Sequence, residues 1–454
     1  MKKTLFFFSI IALLMSGCYK DDINDLKDDI NKLKKEQERQ AELLAAYQTL
    51  LQALESKATI TSINEIADGY KIVFSNGNEM TVRNGKDGSD VSNALAIVKV
   101  VDVGGSVIFY MSDGSTITIG KAVNAGLWAL SEGVWGGGNG QLRFIEYNES
   151  TDKYALFTPA NEDAKQFTNW GETPNDLMIY GSKMYSAITG TTDGVVRVVN
   201  PSTGETIQDI VITIGTDKQQ PRRLAASNGN VYVTLYSGAV AKIDTASFAA
   251  QVTELSGTFS DGLCVYGGYL YICNSGQGEG NTISVVNIAQ FVETETITVP
   301  YNPMNIVSVG NGELYFNTAA VWSGPAFGAP ANVHVLNTAT KTVTKTFDIE
   351  VESIATGKNY VYGAATDWSD FSGILKKISI ADKSVSDFTT STSSLLLAYR
   401  LSVNPLNGEV FLTQQMGGGL TRFAEDGTFI QQISNIGQQN GAAVVFVNTV
   451  KYEN

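Results

Sequence analysis

Residues 221–255 read PRRLAASNGNVYVTLYSGAVAKIDTASFAAQVTEL. Pro221 opens an apolar run, Asn228-Gly229 supplies a two-residue turn, and Val231-Tyr232-Val233 starts a second run rich in β-formers. An Asn-Gly step accepts positive φ at both central positions, the geometry that matches the twist of a hairpin. A third run, Ala239–Ile243, ends at Asp244, and a fourth closes the unit near Leu255. The decisive question is whether this four-strand unit repeats. It does. An aromatic recurs at the same place in the second strand, at Trp128, Tyr185, Tyr232, Tyr271, Tyr315, Tyr362 and Phe411. Seven units of four short strands predict an all-β fold, a seven-bladed β-propeller over 122–454. The first unit begins at its second strand, Gly126–Leu130, and the last run, 441–448, stands alone. Placing that run in the first unit closes the ring and removes both exposed edges. A β-sandwich array is the alternative.

The third strands end in Ile243-Asp244-Thr245-Ala246 and in Asn337-Thr338-Ala339-Thr340. With the opening Pro-x-x of 221 and 303 and the Leu/Val-Tyr second strands, these motifs resemble YncE-like, surface-layer-type propellers. The Gly-His and Trp-Asp signatures of WD40 blades are absent from the pattern.

At the other end of the chain, Lys2 and Lys3 precede an apolar run from Leu5 to Met15. That is an export leader over 1–17, too short for the ~20 residues a spanning helix needs. Leu14-Met15-Ser16-Gly17-Cys18 resembles the lipobox of bacterial lipoproteins. The resemblance implies acylation of Cys18 and anchoring in outer-membrane lipid, since several acyl chains hold durably. Tyr19-Lys20-Asp21-Asp22 resembles the acidic tag by which Bacteroidetes lipoproteins reach the cell exterior. An ordinary secretory leader is the alternative.

In 18–57, Ile23, Leu26, Ile30, Leu33, Gln37, Gln40, Leu44, Tyr47, Leu51 and Leu54 alternate three and four apart. This is a heptad seam, so a coiled-coil stalk about 50 Å long is expected, shared between copies of the chain as a homo-oligomer. A single helix folded back on the next domain is the alternative. Residues 58–121 hold a duplicated β-hairpin module, with Ile60–Val82 repeated by Ile97–Ile119. A heptad helix followed by DGYKIVFSNGNEMTVRNGKDG, 68–88, resembles the N-terminal module of Bacteroidetes surface lipoproteins, some of which carry polysaccharide-lyase domains.

Composition narrows the function classes. With 32 basic and 46 acidic residues the net charge is −14, which excludes nucleic acid as a bulk-charge partner. The 44 glycines and 9 prolines fit a turn-rich β-protein. A single histidine, His334, argues against His-based catalysis and against a His-rich metal site; its strand position, within Asn332–Leu336, makes it structural. No metal site and no catalytic residue are assigned.

In a propeller, the loops after each second strand share one face with the blade-to-blade segments. Here those loops are long and carry large apolar side chains: Trp135 beside Gly-Gly-Gly, Trp322 and Phe327, Trp368 and Phe371, and Met416. The blade-to-blade segments add Trp170 and Tyr301, and Tyr399 with Arg400. Large apolar rings gathered at loop tips mark a ligand surface, and these eight apolar side chains are its candidate contacts. The alternative is that the rings fold back as caps over their own blades. Asp193, Glu279, Asp367 and Asp370 are candidate acidic contacts, with Glu172 and Asp176 on the same face. A glycosidase would need two such carboxylates ~5–9.5 Å apart. Cys264 and Cys273 flank Gly267-Gly268 on paired strands. A turn centred there sets Cys264 opposite Tyr271, so two buried free thiols are expected, with a disulfide as the alternative if the turn shifts.

The propeller type, lipid anchor and acidic tag are together similar to the cobamide-binding surface propellers of Bacteroidetes. That implies a non-enzymatic binder that passes a nutrient to a TonB-dependent transporter, with a corrinoid as the leading candidate ligand. A carbohydrate-active or quinoprotein-like enzyme and a structural or adhesive propeller are the other classes.

Overall fold

The computed structural model describes residues 60–66, 69–74, 78–83, 97–102, 106–111, 114, 116–120, 122–156, 165–190, 194–389, 397–416, 418–437 and 439–450, with Asn31, Lys34, Ala46, Thr49 and Leu50. The chain divides into two compact units, one of Met1–Lys121 with Tyr452–Asn454, the other of Ala122–Lys451.

The first unit contains two three-stranded antiparallel meanders, Ile60–Ile66/Gly69–Phe74/Glu79–Arg83 and Ile97–Asp102/Ser106–Met111/Thr116–Gly120. Their buried residues fall at alternate positions: Ile72 and Phe74, Met80 and Val82, and Val107, Phe109 and Met111. That is the period of a strand with one dry face. Both meanders share one buried cluster, and Ala46 and Leu50 belong to it. These two residues are helical and four apart, hence on one face. At this point the helix therefore packs on the hairpins, through two residues that are not on the predicted heptad seam. The rest of the stalk, the leader and Cys18 lie outside the described residues.

The second unit is all-β, with seven successive antiparallel sheets of the propeller type. Their inner strands are Gly441–Val450, Thr173–Tyr180, Pro221–Ser227, Ser260–Tyr266, Pro303–Ser308, Ser353–Thr356 and Ala398–Val403. Each inner strand touches the next, and Ala398–Val403 touches Gly441–Val450, so the ring is closed. The C-terminal strand pairs antiparallel with Ala122–Ser131, with Val445 opposite Trp128. The first sheet is thus built from both ends of the unit.

Second strands are dry on both faces, which is why they read as unbroken apolar runs: Val231 to Leu235 are all buried. The recurring aromatic fills the space between neighbouring sheets. Trp128 Nε1 donates to the Pro201 carbonyl at 2.8 Å, and the Tyr362 hydroxyl to the Glu425 carbonyl at 3.3 Å. Outer strands are wet, as in Thr206–Ile210, where only Ile210 is buried.

The joint between last and first sheets carries its own fastening. Arg422, 1% exposed on the strand Leu420–Phe423, donates to Asp152 Oδ1 at 2.7 Å, to the Asp152 carbonyl at 2.8 Å and, from Nε, to Glu409 at 2.9 Å. Asp152 belongs to the turn after Gln141–Asn148 in the first sheet. Gln431 adds a two-way bond to the Tyr154 backbone, at 2.6 and 3.0 Å.

Candidate functional site

The pairing of Pro221 with Leu235 sets the start of an inner strand beside the end of its second strand. The loops after second strands and the segments between sheets therefore meet at one end of the ring. On that end Trp135, Tyr301, Trp322, Phe327, Trp368, Phe371 and Met416 are exposed, from 39% for Tyr301 to 81% for Trp322. These side chains are displayed, not merely loose. In the loop after Glu313–Thr318, Val321 and Ala326 are buried anchors, and Val321 exchanges backbone bonds with Gly328 and Ala329 at 2.9 and 3.0 Å. That leaves Trp322 and Phe327 on the outside. Trp368 and Phe371 meet edge to face, centroids 6.3 Å apart.

Trp170 corrects the expectation. It is 3% exposed and lies in the core cluster with Leu177 and Ile188. Its backbone N–H donates to Gly140 at 2.7 Å and Gly140 returns a bond to Gly171 at 3.0 Å, which pulls the segment flat across its neighbour. The ring turns inward, Nε1 donates to Ser186 Oγ at 3.2 Å, and the Arg197 guanidinium covers it at 5.0 Å. It is a cap, as the alternative reading had it.

The acidic candidates divide. Asp193 lies outside the described residues. Glu279 is exposed. Asp367 accepts from the Ser369 N–H and hydroxyl at 2.9 and 2.6 Å, and Asp370 from the Ser372 N–H at 2.9 Å. Both carboxylates shape the loop that carries Trp368 and Phe371. Hydrogen bonds from Ser372 hold the Asp370 carboxyl below the usual range. Asp176 and Arg400 are not loop residues at all: they stand on the inner strands Thr173–Tyr180 and Ala398–Val403.

Those inner strands carry a second feature. Strand register breaks at Pro174/Asp176, Pro221/Leu224, Ser260/Leu263, Pro303/Ile306, Ala398/Leu401 and Gly441/Ala443, always at the loop-face end. Such irregularities turn extra side chains out of the pleat and are common beside binding sites. The N–H groups freed there are caught by polar residues buried at the end of the apolar second strand. Arg223 N donates to Thr234 at 3.0 Å, Arg400 N to Thr413 at 3.1 Å, and Asn305 N to Asn317 at 3.2 Å.

The consequence is a polar cluster about the ring axis. Arg222 Nη2 reaches Asp261 Oδ2 at 2.9 Å and Arg223 Nε reaches Oδ1 at 3.4 Å. Arg222 also bonds the Tyr236 hydroxyl and Arg223 the Asn175 carbonyl, while Arg400 Nη1 donates to Asn305 at 3.3 Å. Asp176 accepts the Leu177 and Leu224 N–H groups, both at 2.9 Å. Burial raises the Asp176 carboxyl above its ordinary range. Burial presses on Asp261 too, but Arg222 and Arg223 hold it below. Gly262 allows this closeness: a Cβ there would sit 2.5 Å from the Met304 carbonyl oxygen. The cavity at the centre, about 190 Å³, is lined from all seven inner strands. Sequence reasoning missed this cluster. The available signals were the doubled arginine after Pro221 and the buried Thr or Asn that interrupts apolar second strands.

Cys264 and Cys273 are free and buried, with Cys264 opposite Tyr271. Burial pushes both thiols well up, so neither is a thiolate nucleophile. His334 stacks on Phe316 at 4.9 Å, its Nδ1 2.9 Å from the Thr346 hydroxyl, and burial pulls it down to about 4. Among the described residues, no group of three or more His, Cys, Asp or Glu side chains could hold a metal ion.

Among solved structures, the second unit's architecture recurs in a candidate 6-phosphogluconolactonase of Bacteroides fragilis NCTC 9343, with TM-score 0.52 and 14% identity over 71% of this chain and 98% of that one. It recurs also in Kuenenia stuttgartiensis hydrazine synthase, with TM-score 0.50 and 13% identity over 61% of this chain and 96% of that one. The likeness is to propeller-type folds. At such identities it shows the fold alone. Residues 19–131 match the family DUF4988, described as a domain of unknown function. No curated protein matches the chain.

Proposed function

We propose that the chain is a lipid-anchored surface protein whose seven-bladed, YncE-like propeller captures a large, partly apolar nutrient on its loop face. The observation that carries this is the set of seven exposed apolar side chains on one end of the ring, on an arc formed by the first, fifth, sixth and seventh sheets beside a polar channel. A monomer gains nothing from wetting seven large side chains, whereas rigid rings anchor ligands at low entropic cost. A corrinoid is the leading candidate: it offers a flat apolar body with polar substituents. Delivery to a TonB-dependent outer-membrane transporter, acylation of Cys18, exposure on a Bacteroidetes cell surface and self-association through 18–57 belong to the same proposal. They are supported by the leader, the acidic tag and the heptads.

Calorimetry of the purified full chain with cyanocobalamin tests the ligand. Binding is expected to weaken by about 2 kcal/mol or more in Trp322→Ala/Phe327→Ala, and to be unchanged in Trp170→Phe. Absence of heat at micromolar protein ends the corrinoid candidate. Equal affinity in the rim variant removes the aromatic face from the account. Palmitate labelling lost in Cys18→Ala checks the anchor, and co-purification of a transporter from membranes checks the delivery step.

A further inference from the structure

At about 190 Å³ the central cavity is smaller than the ~300 Å³ at which pockets begin to enclose whole small molecules. It accommodates a chemical group. The charged side chains on its wall are Arg223, Arg400 and Asp176. Asp176 is engaged, with both carboxylate oxygens accepting backbone N–H groups. The arginines are not fully used. Arg223 is 8% exposed, yet its Nη2 is buried without a hydrogen-bond partner among the described residues, and so is Nε of Arg400. A buried charged donor left unpaired is costly, and here two converge on one cavity. Burial and the neighbouring Arg400 and Arg222 also disfavour the charged form of the Arg223 guanidinium, which still stays protonated. An anion would relieve that strain. The chain as a whole is acidic, at −14, so its bulk charge does not account for cations gathered on the axis.

We infer that the channel binds an oxyanionic group, a carboxylate or a phosphate, through Arg223 and Arg400. Planar guanidinium forks match the oxygens of either group. The group belongs to the ligand whose apolar body lies on the aromatic rim, and that last clause rests on the capture reading above.

The test titrates the full chain with sodium phosphate and, separately, with disodium succinate, against sodium chloride at matched ionic strength. Saturable binding of one of them is expected, and which one binds identifies the group. Arg400→Gln is expected to weaken it at least about tenfold, as is Arg223→Lys, with far-UV circular dichroism checking the fold. Arg400 is only partly buried, so its variant decides the matter if the Arg223 variant does not fold. Binding of neither anion beyond the chloride control overturns the inference, and so does wild-type affinity in Arg400→Gln. Trp322→Ala/Phe327→Ala is expected to bind the small anion normally. Cyanocobalamin binding lost while anion binding persists in wild type strikes the ligand assignment alone; the reverse strikes the channel alone.

Discussion

Replacing Arg422 by Met removes a guanidinium that fastens the seventh sheet to the first. The two acceptors are unequal: the Asp152 side chain is 63% exposed and the Glu409 side chain 13%. Asp152, released, is solvated again, and its share is that of a surface pair, about 0–1 kcal/mol. Glu409 is left as a buried carboxylate that has lost its charge partner, and breaking such pairs costs about 3–5 kcal/mol. Met keeps the aliphatic packing of the stem but loses the guanidinium that covers the Tyr154 ring at 5.2 Å. The expected loss is therefore about 3–6 kcal/mol. Urea unfolding followed by tryptophan fluorescence measures it, since Trp128 is buried in the first sheet. The double variant Arg422→Met/Glu409→Leu removes both buried charges and is expected to recover to within about 1 kcal/mol of wild type. The pH dependence has a definite sign. The Arg422 hydrogen bond holds the Asp152 carboxyl below its ordinary value of 3.8. Its contribution is full above that value and disappears as pH falls through the depressed one. A loss below about 1 kcal/mol in the single variant, or a double variant as weak as the single, would refute the closure argument.

Three further outcomes follow from local geometry. Gly262→Ala drives a Cβ to 2.5 Å from the Met304 carbonyl, and thermal denaturation is expected to show a loss of about 1–3 kcal/mol. His334 is pulled from 6.5 down to about 4, so the unfolded chain takes the proton first. Stability is complete above about pH 6.5, falls by about 1–3 kcal/mol as pH drops to 4, and is flat below; His334→Gln is expected to erase that slope in denaturant titrations between those values. Cys264 and Cys273 are expected to be silent to a thiol reagent in the native chain and to react together once urea unfolds it; rapid labelling of the native chain would contradict their burial.

The strands were legible because their burial is local in cause. A second strand such as Val231–Leu235 is dry on both faces, so five consecutive residues record one environment. The rim was legible for a related reason: a Trp beside three glycines, as at 135, has no strand to bury it. Trp170 was not. Its inward turn depends on a backbone exchange with Gly140, thirty positions away and in another loop. Nothing within its own segment records that partner, and the same limit hid the helix contact of Ala46 and Leu50 with the hairpins.

The channel escaped for a different reason, and that reason bears on what the protein does. In a regular strand adjacent residues point to opposite faces, so Arg222 and Arg223 would part company. The register break between Pro221 and Leu224 instead brings both onto Asp261. Five other inner strands break at the same end, and Asp176, Asp261, Asn305 and Arg400 stand at four of those breaks. Plain packing gains nothing from interrupting six ladders at one end of the ring. The cost is met by a second repeated device, a Thr or Asn buried at the end of the neighbouring strand to catch the freed N–H. Two devices recurring together around the axis, with Nη2 of Arg223 and Nε of Arg400 unpartnered among the described residues, are what support the proposed site at the loop-face end of the channel. On the capture reading proposed above, the aromatic rim is the outer part of that same site.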